Sequence, residues 1–164
     1  MAATLSPARI VLLFCFILLN FGCDQLSKEV ARQQLNYGEQ VEVWDEYLVL
    51  RLIENEGAFF GLGAQWSGFG RGFVLLFLPA FSLVLLSYFL FFRRPFSWLF
   101  ALGCTAIIGG AAGNLVDRCL YQSVTDFLNI GIGNWRTGIF NLADVSILIG
   151  VLLLMAGLRL GEHS

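Results

Sequence analysis

Four long apolar stretches constrain this chain more than any other feature. Residues 8–22, 72–92, 96–116 and 139–160 are almost free of charge, and they reach or approach the ~20 residues that a helix needs to cross a hydrocarbon core roughly 30 Å thick. Within lipid a backbone must satisfy its own hydrogen bonds, so such stretches are helical. Across all 164 residues, 57% are hydrophobic and 13% charged, which excludes an ordinary soluble domain. The expected fold is an α-helical integral membrane protein with four transmembrane helices, a single polytopic domain over residues 1–164.

The first stretch has a rival reading. Arg9 precedes a short apolar run ending in "LLNFGC", with Gly22 and Cys23 placed like a lipoprotein cleavage site. Asn20 and Phe21 stand where such a site holds small or branched apolar residues, and three further spans need no removable leader, so an uncleaved helix is expected. Arg9, Arg93, Arg94 and Arg159 gather on one side, where Glu162 is the only acid. By the positive-inside rule that side is cytoplasmic, with both termini, and segments 24–71 and 119–138 lie outside.

The outer segments carry a different pattern. "QVEVWDEYLVLRLIE" at 40–54 alternates at period two on either side of Trp44-Asp45-Glu46, which predicts a hairpin. Two strands alone are marginal in water. The hairpin should therefore gain a third strand or lie against the membrane surface; "SVTDFLNI" at 123–130 suits a third strand, completing a small extracytoplasmic sheet with Asp126 beside it. "NEGAFFGLG" at 55–63 is poor strand and a reasonable hinge or interfacial turn, with Phe59 and Phe60 dipping toward the headgroups.

Polar residues gather at the outer ends of the spans. Gly110, Asn114 and Arg118 follow one another at i, i+4, i+8 on one helical face, with Asp117 one position short. Gly109 to Gly113 are all Gly or Ala, which lets helices approach closely. Asn141 and Asp144 share the first turns of the last span, and Asp24 and Lys28 have the i, i+4 spacing of an ion pair. Each group has a purely structural reading: Asn141 as a helix cap, Asp144 as a dipole partner, Asp117-Arg118 as an interfacial pair. Together they resist it, because an ionised Asp in hydrocarbon costs about 3 kcal/mol and no lipid-facing surface would gather several at one depth.

Two carboxylates then define the simplest chemistry. Asp126 and Asp144 can share a proton across a water molecule, one drawing a proton from it and the other polarising a scissile carbonyl. His163, the only histidine, lies in the expected cytoplasmic tail, which leaves no imidazole for a triad or zinc site outside. A Ser-Lys mechanism has one lysine to use, Lys28, whose neighbour Ser27 points about 100° away on a helix. Ser123 is the other candidate. The four cysteines lack metal-type spacing, and spacing leaves a Cys23–Cys119 disulfide open.

The motifs "DQLSK" at 24–28, "NEGAFFG" at 55–61, "GGAAGNLVDR" at 109–118, "VTDF" at 124–127 and "FNLADVSILIG" at 140–150 resemble, in order, those of signal peptidase II, the bacterial lipoprotein signal peptidases. The resemblance implies an inner-membrane aspartyl endopeptidase that cleaves diacylglyceryl-modified prolipoproteins before the lipidated cysteine. It implies Asp126 and Asp144 as the catalytic dyad and Asn114, Arg118 and Asn141 as its polar shell. Asp24, Lys28, Asn55, Gly110 and Ala143 are implied as substrate-binding or supporting residues. It further implies a β-cradle formed by the sheet, a lid at 55–63, no cofactor or metal, no nucleic-acid partner, a monomer, and peptide antibiotics of the globomycin type as ligands. The departures are modest: "WRTGIFN" at 135–141 is longer than the family's approach to Phe140-Asn141, and Thr125 beside Asp126 is a tolerable variant. The alternatives are a small proton-coupled transporter, which would carry its acids near mid-span, and a non-catalytic membrane scaffold.

Overall fold

The computed structural model of the protein describes residues 6–57, 68–92 and 97–161. Four helices carry the apolar stretches: α1 Pro7–Gln34, α2 Phe69–Phe92, α3 Trp98–Tyr121 and α4 Leu142–Gly161. All four are long and apolar enough to cross a membrane. The hydroxyls of Ser6 and Ser97 cap α1 and α3, accepting from the N–H groups of Arg9 and Phe100. Helix α1 runs on to Gln34, well beyond the expected span, because its polar second half is buried against α3 and the sheet: Asp24, Lys28 and Ala31 are all hidden there. Inside α2, Phe73–Phe77 form a π-helical turn in which the Leu78 N–H reaches Phe73 O. Pro79 has no N–H to offer the preceding turn, and the wider turn absorbs that gap.

Small residues set how closely the helices approach. A Cβ on Gly103 would lie 2.6 Å from Gly150 O, and one on Gly110 would lie 2.6 Å from Ala143 O. One on Gly157 would lie 2.4 Å from Phe100 N. The order 110, 103, 100 against 143, 150, 157 makes α3 and α4 an antiparallel pair in backbone contact. Gly109 does the same against α1, where a Cβ would meet Ile17 O at 2.7 Å. Helices α1 and α3 run in the same direction, so their polar C-terminal halves end together.

A four-stranded sheet sits at that end, in the order β1 Val41–Trp44, β2 Leu48–Asn55, β3 Val124–Ile132 and β4 Trp135–Arg136, antiparallel throughout. The hairpin reverses through Asp45, at φ 42°. Asp126 lies within β3 rather than beside the sheet. Strand β4 has no counterpart in the sequence reading: it is two residues long and depends on Gly133, at φ +54°, to fold back. The pairing of β2 with β3 shifts between Leu50 and Ile53, so Leu50 faces Leu128 but Ile53 faces Asp126. Alternation then gives the inner half of the sheet two distinct faces. Leu52 and Phe127 pack with Ala31 and Leu35 on the α1 side, while Asn55, Val124 and Asp126 turn the other way, into a cavity. Beyond β4, Phe140 pairs with Leu128 and brings the start of α4 beside β3. From residue 58 onward, the expected lid at 55–63, with Phe59 and Phe60, lies outside the described residues, as do Arg93-Arg94 and His163.

Candidate active site

Helix α4 begins with a reciprocal cap. The Asp144 N–H donates to Asn141 Oδ1 at 3.0 Å, and the Asn141 N–H donates to Asp144 Oδ2 at 3.2 Å. The structural reading of this pair is therefore true. It is also incomplete, because both side chains have further partners. Asn114 Nδ2 on α3 donates to Asp144 Oδ1 at 3.0 Å, and Asn141 Nδ2 donates to Asp126 Oδ1 at 2.6 Å. Asn55 Nδ2, at the end of β2, donates to Asp126 Oδ2 at 3.0 Å. One asparagine, Asn141, thus bridges the two carboxylates. Both carboxylates line a cavity of about 570 Å³, together with Asn55, Asn114 and Arg118. Its remaining walls are mostly apolar, with Val74, Leu75 and Pro79 from α2 facing Ile147 and Leu148 of α4.

The orientation of these amides is dictated from behind. Lys28 is wholly buried and its Nζ meets three acceptors: Asp24 Oδ2 at 2.8 Å, Asp117 Oδ2 at 3.0 Å and Asn114 Oδ1 at 2.8 Å. An ammonium has three protons, so every one is used. With its oxygen taken by Lys28 and by Asn141 Nδ2 at 3.2 Å, Asn114 must present its amino group to Asp144. Asp24 Oδ1 accepts from the Ala143 N–H at 2.9 Å, tying α1 to the first turn of α4. Gly110 lets that same turn of α4 lie against α3. Arg118 donates to the carbonyls of Gly57, at 3.2 Å, and Asn114, at 3.5 Å.

Burial pushes the Asp126 carboxyl up to about 6 from its ordinary 3.8. The Asn55 hydrogen bond opposes this, the neighbouring charge of Asp144 reinforces it, and the Asn141 bond and the Lys28 charge pull the other way.

The ten residues expected at the site fall in one connected cluster, either at the cavity wall (Asn55, Asn114, Arg118, Asp126, Asp144) or directly behind it (Asp24, Lys28, Gly110, Asn141, Ala143). The serines stay apart from Lys28: Ser27 Oγ donates to its own helix at Asp24 O, and Ser123 Oγ donates to Glu54. All four cysteines are free, so Cys23 and Cys119 form no disulfide. Sequence alone offers Asp117 only as a partner of Arg118 and Thr125 only as a departure from the family, and it gives Arg32, Gln25 and Glu54 no role at the site. Asp117 is fully buried and pairs with Lys28 and with Arg32, at 3.2 Å, rather than with its neighbour Arg118. Gln25 Nε2 bridges Asp24 Oδ2 and Asp117 Oδ1, at 3.2 and 3.3 Å. The signal available for Asp117 was its i+3 spacing from Asn114, which turns it toward the same side of α3.

A family model described as signal peptidase (SPase) II matches residues 16–159, which contain the whole of this cluster and most of the helices that hold it. The chain belongs to the signal peptidase II family. Curated lipoprotein signal peptidases are similar along almost the whole chain. That of Burkholderia ambifaria is 38% identical over 156 residues, 94% of this chain and 86% of the relative. That of Azoarcus sp. is 39% identical over 143 residues, 87% of this chain and 80% of the relative. Two solved structures described as bacterial membrane enzymes superpose with TM-scores of 0.77 and 0.76, at 26% and 27% identity. The first covers 97% of this chain and 92% of its own, the second 96% and 97%. Like other members of the signal peptidase II family, a family of proteases, the chain is an enzyme with several membrane-spanning helices.

Proposed function

We propose that this chain is an aspartic endopeptidase that removes signal peptides from diacylglyceryl-modified prolipoproteins, cleaving before the lipidated cysteine. One observation carries the reading: two carboxylates from separate elements open onto a single cavity and are coupled through Asn141. They share one proton. The ionised member takes a proton from a water molecule, whose oxygen attacks the scissile carbonyl carbon, while the protonated member hydrogen-bonds the carbonyl oxygen. Collapse of the intermediate breaks the C–N bond, and the dyad returns a proton to the departing nitrogen. The raised proton affinity of Asp126 helps the pair keep that proton near neutral pH. The apolar walls from α2 and α4 suit a lipid-anchored substrate whose scissile bond is held at the membrane boundary.

In this reading Asn114, Asn141 and Asn55 orient the dyad, Arg118 lines the substrate cavity, and Asp24, Lys28, Gly110 and Ala143 hold the scaffold in place. The Lys/Arg distribution supports an active site at the outer face of the bacterial inner membrane, with cytoplasmic termini. The enzyme acts as a monomer in a lipid environment, and a globomycin-type peptide would compete for the same cavity. The deciding experiment incubates the purified full chain with a lipid-modified precursor and with the same precursor lacking lipid. Cleavage of the first alone, lost in both Asp126→Asn and Asp144→Asn, is the expected result. Cleavage by either variant overturns the dyad.

A further inference from the structure

Behind the sheet, on the face turned away from the cavity, lies a second polar array that the reaction does not use. Glu54 and Thr125 stand directly opposite each other on β2 and β3. The Thr125 hydroxyl donates to Glu54 Oε1 at 2.8 Å and accepts from Arg32 Nε at 3.0 Å. Ser123, two residues earlier and just ahead of β3, donates to Glu54 Oε2 at 2.5 Å. The Thr125 N–H meets Asp117 Oδ2 at 3.3 Å, and Arg32 is shared between Asp117, at 3.2 Å, and the ring of Tyr121, at 4.4 Å from its centroid. Thr125 is completely buried.

The position of this array relative to the strand irregularity gives it a task. The outer half of the β2–β3 pair keeps Leu50 opposite Leu128, whereas the inner half keeps Ile53 opposite Asp126. A register set in the outer half is therefore not transmitted through the irregularity to the inner half. In the inner half, a slip by one residue would turn Asp126 from the cavity to the α1 side and take Asn55 away from it. Contacts on the inner side of the irregularity must specify the register there, and Glu54 grips Thr125 on β3 together with Ser123 just ahead of the strand.

Resting on the aspartic-dyad reading, we infer that Glu54, Thr125 and Arg32 are positioning residues that lock the inner register of β2 on β3, so that Asp126 and Asn55 face the cavity. A two-pronged carboxylate recognises hydroxyls at i and i+2 and rejects the slipped pairing, in which neither hydroxyl would face it. Arg32 anchors the locked pair to α1, the helix that also carries Lys28, so the sheet carboxylate and the helix carboxylate are held to one frame.

The test replaces Thr125 with Val, nearly the same shape without the hydroxyl, and with Ser, which restores the hydroxyl. Cleavage of a lipid-modified precursor by the full chain is measured as kcat and KM, normalised to the folded fraction from thermal melts in detergent. Thr125→Val is expected to lower kcat about tenfold, the scale of a slight misplacement of a reacting group, with KM unchanged, and Thr125→Ser to restore it. Glu54→Gln, which keeps the side-chain shape and one acceptor oxygen, serves if Thr125→Val does not fold, and a smaller fall in kcat at unchanged KM is expected. Normalised kcat equal to the parent in the folded variants, or a Thr125→Ser protein no better than Thr125→Val, overturns the inference. Asp126→Asn and Asp144→Asn run alongside separate the two claims. Inactive Asn variants with a fully active Thr125→Val overturn the register lock alone, whereas active Asn variants overturn the dyad beneath it.

Discussion

Two carboxylate clusters sit side by side at one end of the helices, and they are built differently. In the cluster behind the cavity, Asp24 and Asp117 meet the buried Lys28 and the partly buried Arg32, two acids against two bases, with each carboxylate also bonded to neutral donors. In the cluster at the cavity wall, among the described residues no ion pair reaches Asp126 or Asp144; their bonds come from the amides of Asn55, Asn114 and Asn141 and from one backbone N–H. A carboxylate gripped by a buried cation is fixed in place and serves the framework. One held by neutral amides at a cavity wall stays open to a water molecule and a substrate.

The largest test of this contrast swaps the effects of equivalent changes. Asp126→Asn or Asp144→Asn is expected to lower precursor cleavage by about 10³-fold or more while the protein still melts cooperatively, since the proposed dyad needs both groups to give and take a proton. Lys28→Met should do the opposite in kind. Leaving Asp24 and Asp117 buried without their shared cation is expected to destabilise the fold by ~3–5 kcal/mol, read from the melting temperature in detergent. A Lys28→Met protein as stable as the parent would erase the distinction between the clusters.

A smaller effect follows from proton linkage. Folding raises the Asp126 carboxyl from 3.8 to about 6, so between those values the folded chain binds more protons than the unfolded one. Its contribution to stability is greatest at low pH and is lost as pH rises to 6. The expected decline attributable to this group is about 3 kcal/mol, and Asp126→Asn should flatten it. Stability at pH 4, 5 and 7 for parent and variant measures the difference. The smallest expected effect tests the framework alone: Gly110→Ala, whose added carbon would press on Ala143 O, should cost about 1–3 kcal/mol by overpacking, with cleavage per folded molecule reduced less than in either Asn variant.

The helices were legible because lipid demands length and apolarity, and hydropathy reports both. The hairpin was legible from alternation between Val41 and Leu52, and the spacing of Asp24 to Lys28 announced their ion pair. What sequence did not carry was set by tertiary partners. Asp117 sits one position from Arg118, and only the arrival of α1 decides that it pairs with Lys28 and Arg32 instead. Thr125 read as a tolerable variant because its partner Glu54 is far away in the chain and is brought opposite only by the strand pairing. Strand β4 is too short for any period to emerge, and its pairing rests on a turn through Gly133. Helix α1 outran its apolar stretch because hydropathy measures contact with lipid, while its last turns are stabilised by protein.

Lys28 is the only lysine in the chain, and its amine is enclosed with all three protons engaged. The folded molecule therefore offers acylating reagents no accessible side-chain amine. Covalent tagging at that position would clock the moments when α1 and α3 part, a chemical stopwatch for the separation of the helices that hold the two carboxylates in register.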